Sequence, residues 1–119
     1  MKIAVTGANS SVGKNLLAHV VDRGDLQVIA GVRSKRVAVS LPFAPQITTR
    51  VISYEDVSDL AVTLEGASCL VHLAGILIES RTSTYASANV ATTAAVVEAS
   101  QRAGVKHIVL VSVIGARAN

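Results

Sequence analysis

Aromatic side chains and cysteine are scarce in this sequence. Its 119 residues include no tryptophan, one phenylalanine and two tyrosines. Proteins that bind single-stranded nucleic acid stack bases on aromatic side chains, so their scarcity argues against a nucleic-acid partner. Cys69 is the only cysteine, so the chain cannot form an internal disulfide. It lies in an apolar run typical of a buried strand, and we interpret it as a packed thiol.

Long apolar runs and large basic clusters are also missing. No stretch reaches the ~18 consecutive apolar residues of a membrane-spanning helix, so no membrane span is expected. The first residues enter a strand pattern without the flanks of a signal peptide, which favours the cytoplasm. The net charge is +3, and the only local excess is at Arg33, Lys35 and Arg36. Such a cluster is small for a nucleic-acid surface but suits one phosphate group.

Aliphatic residues make up much of what is present. Half of the residues are apolar and 16% are charged, which is typical of a folded domain with elements covered on both faces. A chain of this size buries about two-thirds of its unfolded surface, enough for one core. We expect residues 1–119 to form one domain, with a C-terminal substrate-binding part lying outside them.

Strand patterns alternate with helix patterns along the chain. Apolar runs predict five buried strands at Lys2–Thr6, Leu26–Val32, Ile47–Ser53, Ala67–Ala74 and Lys106–Ser112. Helices are predicted between them at Ser11–Arg23, Lys35–Leu41, Asp56–Glu65 and Ser83–Ala103, and three glycines are expected to end them, Gly24, Gly66 and Gly104. Right-handed crossovers between parallel strands then predict an α/β fold, a doubly wound Rossmann sheet with strand order 3-2-1-4-5.

The first predicted helix has an apolar stripe. Its members, expected to share the buried face, are Val12, Leu16, Leu17, Val20 and Val21.

The segment from Thr6 to Gly13 connects the first predicted strand to the first predicted helix. Its sequence is Thr-Gly-Ala-Asn-Ser-Ser-Val-Gly, in the context where a glycine-rich loop binds the pyrophosphate of a dinucleotide. Gly7 permits a sharp turn, Gly13 permits close packing of the helix, and the free N–H groups at the helix start bind the phosphates. Ser10 replaces the usual middle glycine, and its hydroxyl can donate to a phosphate oxygen. An ordinary glycine-rich turn is the alternative.

Arg33 follows the second predicted strand. An NAD-binding unit usually has Asp or Glu there, about 20 residues beyond the loop, to hold the ribose hydroxyls. Residues 31–36 read Gly-Val-Arg-Ser-Lys-Arg and contain no acid. Because a guanidinium attracts the 2'-phosphate that a carboxylate repels, this pattern predicts NADP as the preferred cofactor, with NAD as the alternative. A solvated basic turn is the structural alternative.

Several motifs recur together in one superfamily. They are the Thr-Gly-Ala-x-x-x-Val-Gly loop, Gly-Val-Arg at the end of the second strand, Val-His-Leu-Ala-Gly at 71–75 and Asn-Val-Ala-Thr-Thr at 89–93. The chain resembles the N-terminal part of an extended or atypical short-chain dehydrogenase/reductase. The similar branches include NmrA-like and complex I subunit-like NAD(P)-binding proteins and sugar-nucleotide epimerases.

The resemblance implies a set of cofactor-binding residues. In the loop they are Gly7, Asn9, Ser10, Ser11, Val12 and Gly13. Arg33 would meet the adenosine ribose or its phosphate, and Ser53 takes the place of the Asp that usually touches adenine. The remaining expected contacts follow the fourth and fifth strands, at Leu73, Ala74, Gly75 and Ser112.

The resemblance also specifies what an active member needs. Such members use a tyrosine as general acid/base, in a Tyr-x-x-x-Lys motif on the helix after the fifth strand. The only tyrosines here are Tyr54 and Tyr85, and neither has lysine four residues later. We therefore expect no catalytic residue in this chain. Asn89 is either the helix asparagine that supports the active site in some members or a plain polar contact.

Two functions remain open from the sequence. The first is an NADP-preferring oxidoreductase or epimerase domain, and the second is a non-catalytic NAD(P)-binding protein with a regulatory or structural role. The expected partners are the dinucleotide and an unidentified small-molecule substrate, and a homo-oligomer is compatible with the pattern. No metal site is expected because His19, His72 and His107 share no ligand spacing. His72 lies within an apolar strand and is interpreted as a core histidine with satisfied hydrogen bonds.

Overall fold

The fold is a parallel sheet with helices on both faces. The computed structural model describes the backbone of residues 1–73 and 85–111, and the side chains of the same residues except 85–90. The elements are β1 (Lys2–Thr6), α1 (Ser11–Val20), β2 (Gln27–Val32), α2 (Lys35–Ala38), β3 (Ile47–Val51), α3 (Val57–Leu64), β4 (Cys69–His72), α4 (Tyr85–Ala103) and β5 (His107–Leu110). The strand order is β3-β2-β1-β4-β5, and every described pair is parallel. The predicted doubly wound α/β sheet is confirmed.

Alternation of side chains along the strands produces two cores. In β1, Ala4 packs into one core with α3 and α4, whereas Val5 packs into the other with α1. Successive side chains of a strand point to opposite faces, so an unbroken apolar run is what a strand covered on both faces requires. The edge strand β3 is exposed over most of its length.

Several strands are shorter than the apolar runs that predicted them. The ladder between β1 and β4 starts at Cys69 and ends at His72, within the predicted run 67–74. Ala67 and Leu73, at either side, are still buried. Their burial comes from packing just outside the ladder, which an apolar run cannot distinguish from strand pairing. Cys69 itself is half-buried. The predicted positions Ala74, Ser83 and Ser112 lie outside the described residues.

Helix α1 buries a narrower stripe than predicted. Its buried residues are Gly13, Leu17 and Val20, which recur at helical spacing. The prediction that Val12 and Val21 share this face is wrong, because their exposed fractions are 54% and 39%. Val12 lies about 100° around the helix from Gly13, toward solvent.

The end of α1 also differs from the prediction. Gly66 and Gly104 have the expected positive φ values of 88° and 80°, but Gly24 does not adopt a left-handed conformation. The helix ends earlier, at Val20, through tight turns in which the N–H of Arg23 donates to the carbonyl of Val20 at 2.8 Å. The side-chain amide of Gln46 donates to the carbonyl oxygens of Val20 and Val21 at 3.1 and 2.9 Å. These bonds satisfy the helix end before the chain reaches Gly24.

The contact between Gly13 and the loop leads to a stability prediction. A Cβ at residue 13 would lie 2.5 Å from the carbonyl oxygen of Ala8, whereas a Cβ at residue 24 would meet nothing within 4 Å. We expect Gly13→Ala to lower the free energy of unfolding by about 1–3 kcal/mol, because backbone atoms must shift to accept the methyl group. Gly24→Ala is the matched control and should be neutral or stabilise by at most about 1 kcal/mol. Urea denaturation measures both, and equal stability of the two variants would contradict this packing role.

Candidate cofactor site

The loop after β1 is anchored to the neighbouring strand. The chain turns at Gly7, whose φ is 74°, a value that favours glycine. The N–H groups of Gly7 and Ala8 both donate to the carbonyl oxygen of Gly31 at 3.2 Å. Gly31 belongs to β2 and is paired with Thr6 in the sheet. The loop is therefore held at the carboxyl edge of the two strands.

Ser10 caps helix α1. Its hydroxyl oxygen accepts a hydrogen bond from the N–H of Gly13 at 3.0 Å, and its carbonyl oxygen accepts one from Lys14 at 2.8 Å. A hydroxyl that accepts still has its own proton, so Ser10 can still donate to a phosphate oxygen, as predicted. The side chain at this position therefore acts first as the helix cap.

Three backbone donors near the helix start have no partner among the residues that the structure describes. Within the described part of the chain, no hydrogen bond is formed by the N–H groups of Asn9, Ser11 and Val12. They lie at the amino terminus of a ten-residue helix, where the peptide dipoles favour an anion. Gly13 packs against the Ala8 backbone in a space that a Cβ would fill. The loop therefore fits a phosphate-bearing ligand.

A cavity opens at the same edge of the sheet, beyond β2 and β3. Its volume is 430 Å³. The residues that line it are Arg33, Ile52, Ser53, Tyr54, Glu55, Ala91 and Thr92. It combines one cation and one carboxylate with aromatic and aliphatic side chains, a mixture suited to an organic ligand with an anionic group.

Four side chains from the ends of four strands form one series of contacts, and two of them, Arg33 and Tyr54, line this cavity. The guanidinium of Arg33 lies over the ring of Tyr54, 5.0 Å from its centroid. The Tyr54 ring meets the His72 ring edge-on, with centroids 6.2 Å apart and an interplanar angle of 77°. His72 Nδ1 and Thr6 Oγ1 are 2.6 Å apart and form a buried hydrogen bond. The series thus joins the carboxyl ends of β2, β3, β4 and β1.

Burial shifts the pKa values of two members of this series. It raises the pKa of the Tyr54 hydroxyl, while the charge of Arg33 and hydrogen bonding with Thr6 lower it to a smaller extent. Burial lowers the pKa of His72, which favours the neutral imidazole. Both groups are therefore uncharged at neutral pH.

His72 departs from its predicted role in one respect. It is 5% exposed, so its prediction as a core histidine is confirmed. The prediction that its hydrogen bonds are satisfied is wrong for one nitrogen, because Nε2 has no partner among the described residues. Only Nδ1 reaches a hydroxyl, since the register places Thr6 directly opposite His72.

The sequence-predicted site residues divide into three groups. The loop residues lie together at the carboxyl edge, and Arg33 and Ser53 line the cavity. Leu73 is 7% exposed and packs in the α1-side core, with its N–H bonded to the carbonyl oxygen of Thr6 at 2.9 Å. The predicted contacts Ala74, Gly75 and Ser112 lie outside the described residues.

Sequence reasoning missed Tyr54 and Thr6 as parts of the site. Tyr54 stands next to Ser53, three residues after the end of β3, and Thr6 is the last residue of β1. Their positions at strand ends were the available signal, because carboxyl ends of parallel strands meet at one edge.

Metal-binding clusters and membrane-spanning helices are both absent from the described ranges 1–73 and 85–111. They contain no group of three or more His, Cys, Asp and Glu side chains placed to hold a metal ion. None of the helices in these ranges is long and apolar enough to cross a membrane.

Comparison with known proteins identifies the family. A family model described as NAD(P)H-binding matches residues 7–119, which includes the loop from Gly7 to Gly13. The chain belongs to this NAD(P)H-binding family. Its cofactor is a nicotinamide dinucleotide, and the resemblance to short-chain dehydrogenases and reductases is confirmed.

Similar proteins are much longer than this NAD(P)H-binding chain. A 3-beta-hydroxysteroid dehydrogenase from Mycolicibacterium neoaurum is 32% identical over 117 residues, covering 91% of this chain and 31% of that protein. An NADPH-dependent quinone oxidoreductase from Escherichia coli is 27% identical, with a TM-score of 0.68 and coverage of 95% and 35%. A uronate dehydrogenase from Agrobacterium tumefaciens, solved with NAD, shares the fold at 21% identity, with a TM-score of 0.75 and coverage of 93% and 40%. The chain thus spans less than half the length of each.

The buried imidazole makes the stability of this NAD(P)H-binding domain depend on pH. Burial lowers the pKa of His72 from its ordinary value of 6.5, so the unfolded chain takes up a proton at a higher pH than the folded one. The free energy of unfolding should therefore fall as the pH drops through about 6.5, by at most about 1.4 kcal/mol per pH unit from this group. His72→Gln keeps a partner for Thr6 but does not titrate.

Denaturation curves of the wild type and His72→Gln between about pH 7.5 and about pH 5.5 test this dependence. Other titrating groups contribute equally to both proteins, so the difference in slope reports His72. Parallel pH dependences would contradict the buried, neutral imidazole.

Proposed function

We propose that this chain is the cofactor domain of an oxidoreductase and binds NADP(H) in preference to NAD(H). Its loop would hold the pyrophosphate, and Arg33 would hold the 2'-phosphate of the adenosine ribose. The nicotinamide supplies hydride chemistry when bound. The chain's own residues bind and orient the dinucleotide, and the substrate-binding residues lie largely outside these 119 residues. Coverage of 31% of the steroid dehydrogenase supports that division.

The observation that carries the NADP preference is the unneutralised guanidinium at the cavity. Arg33 follows β2, where an NAD-binding unit would have an acid. The ion pairs found among the described residues are Arg23–Asp25 and Glu98–Arg102, and neither includes Arg33. Its planar fork of donors matches a phosphate, which it can hold in bidentate fashion. The E. coli quinone oxidoreductase similar to this chain is NADPH-dependent, which agrees with the proposal.

The remaining proposed contacts follow from the same geometry. The N–H groups of Asn9, Ser11 and Val12, which have no partner in the described ranges, would donate to the pyrophosphate. Ser10 would serve as helix cap, and Gly7 and Gly13 would provide the space. Ser53 would border the adenosine, although its hydroxyl already accepts a hydrogen bond from the N–H of Glu55 at 3.2 Å. Leu73, Ala74 and Gly75 remain proposed contacts to the middle of the cofactor, and Ser112 remains a proposed cofactor contact after the fifth strand.

A non-catalytic NAD(P)-binding protein is the second candidate function. The observation that favours it is the surroundings of Tyr54, which has Ser58 rather than lysine four residues later. Tyr54 is in addition engaged with Arg33 and His72. Under this reading the domain would sense or store the cofactor rather than use it in turnover.

Removal of the Arg33 side chain tests the cofactor preference. A charge-assisted hydrogen-bonded contact contributes about 1.5–3 kcal/mol, so Arg33→Ala should weaken NADP binding about 10- to 150-fold. NAD lacks the phosphate, and its affinity should hardly change. Isothermal titration calorimetry with both cofactors, at low and moderate salt, measures the effect.

Lys35→Ala is the matched control for Arg33→Ala. It removes one positive charge two residues away, at the exposed start of α2, and should have a small effect that disappears at moderate salt. Equal loss of NAD and NADP affinity in Arg33→Ala would limit Arg33 to a structural role. Tighter binding of NAD than of NADP by the wild type would overturn the preference.

The 119-residue chain alone should bind the dinucleotide without turnover. The reason is that its two tyrosines lack the lysine partner that lowers the pKa of a proton-transferring tyrosine. Binding is followed by NADPH fluorescence, and turnover by absorbance with panels of ketone, quinone and sugar substrates. Steady oxidation of NADPH by the purified chain would refute the expectation.

A further inference from the structure

Arg33 has few constraints on its position other than one aromatic ring. The residue is exposed and forms no ion pair within the described ranges. A free arginine side chain has many rotamers, and fixing them on binding opposes affinity. The ring of Tyr54, 5.0 Å below the guanidinium carbon, holds the planar group through a cation–π contact.

The position of the Tyr54 ring is itself fixed by contacts with His72 and with the core. Its ring stands edge-on to His72 at 6.2 Å, and His72 is fixed by the 2.6 Å hydrogen bond to Thr6 and by the pairing of β4 with β1. Tyr54 also packs against the α3–α4 core. The ring is therefore fixed relative to the centre of the sheet. Without the ring, the arginine side chain would be mobile in solvent.

We propose that Tyr54 is a positioning residue that orients Arg33 and thereby sets the discrimination between dinucleotides with and without a 2'-phosphate. This inference rests on the proposed NADP preference. An exposed cation–π contact corresponds to about a two- to fivefold change in an equilibrium constant. Because Tyr54 also lines the cavity, it can touch the adenosine directly, but such a contact is common to both cofactors. The ratio of NADP to NAD affinity isolates the effect that passes through Arg33.

Four proteins form the test: the wild type, Tyr54→Leu, Arg33→Ala and the double variant. Kd values for NADP and NAD are measured for each. Tyr54→Leu should lower the NADP-to-NAD affinity ratio about two- to fivefold. In the Arg33→Ala background the same substitution should leave the ratio unchanged, because no guanidinium remains to be oriented. Tyr54→Phe, which keeps the ring, should retain the wild-type ratio within about twofold.

Two outcomes would overturn the positioning role. One is an unchanged ratio in Tyr54→Leu, and the other is the same change in ratio whether or not Arg33 is present. A general loss of folding would instead lower both affinities together, and thermal unfolding of each variant shows it separately.

Failure of the proposed function gives a different pattern. If the wild type does not prefer NADP, or if Arg33→Ala weakens both cofactors equally, the preference itself is wrong. The same four proteins, unfolded in urea without ligand, then report the contact between Arg33 and Tyr54 directly through non-additive stabilities. If the effects on stability are not additive and the wild type does not prefer NADP, the contact exists but has no role in cofactor discrimination. If the effects are additive, neither the energetic contact nor its role in discrimination is supported.

Discussion

Parallel pairing of β1 on both of its edges determines where every feature of the site lies. Thr6, at its carboxyl end, is opposite Gly31 of β2 and opposite His72 of β4. Because all paired strands run in the same direction, their carboxyl ends converge, and the loop, the cavity and the four-residue contact series all lie on one edge. The carbonyl oxygen of Gly31 then holds the loop in place by accepting from two of its N–H groups.

The fold could be predicted from the sequence because its strands are covered on both faces. Unbroken apolar runs separated by helix-sized segments leave few topologies, and the right-handed crossover rule reduces them further. The predictions that failed concern features that tertiary contacts determine. Gln46 satisfies the end of α1 from a distant part of the chain, so the helix ends without the glycine. Leu73 is buried by packing beyond the end of its ladder.

The site could be predicted only in its local parts. The loop and Arg33 have recognisable positions relative to one strand each, so sequence spacing was sufficient to find them. The contacts of Tyr54 with Arg33 and His72 join residues that are far apart in sequence, and they depend on the register of four strands. The unpartnered Nε2 of His72 depends on what surrounds it in three dimensions. The sequence shows that these residues follow or end strands, but it shows neither their contacts nor the missing partner.

The two ends of helix α1 are both fastened by uncharged groups. At one end the hydroxyl of Ser10 accepts from Gly13, and at the other the amide of Gln46 donates to the last carbonyls. Neither a hydroxyl of this kind nor an amide ionises over the range in which proteins fold. Protonation of the His72 imidazole at acidic pH adds a positive charge at the carboxyl edge of the sheet. The hydrogen bonds at the two ends of helix α1 are not affected. The orientation of the first peptide groups of α1 is consequently independent of pH.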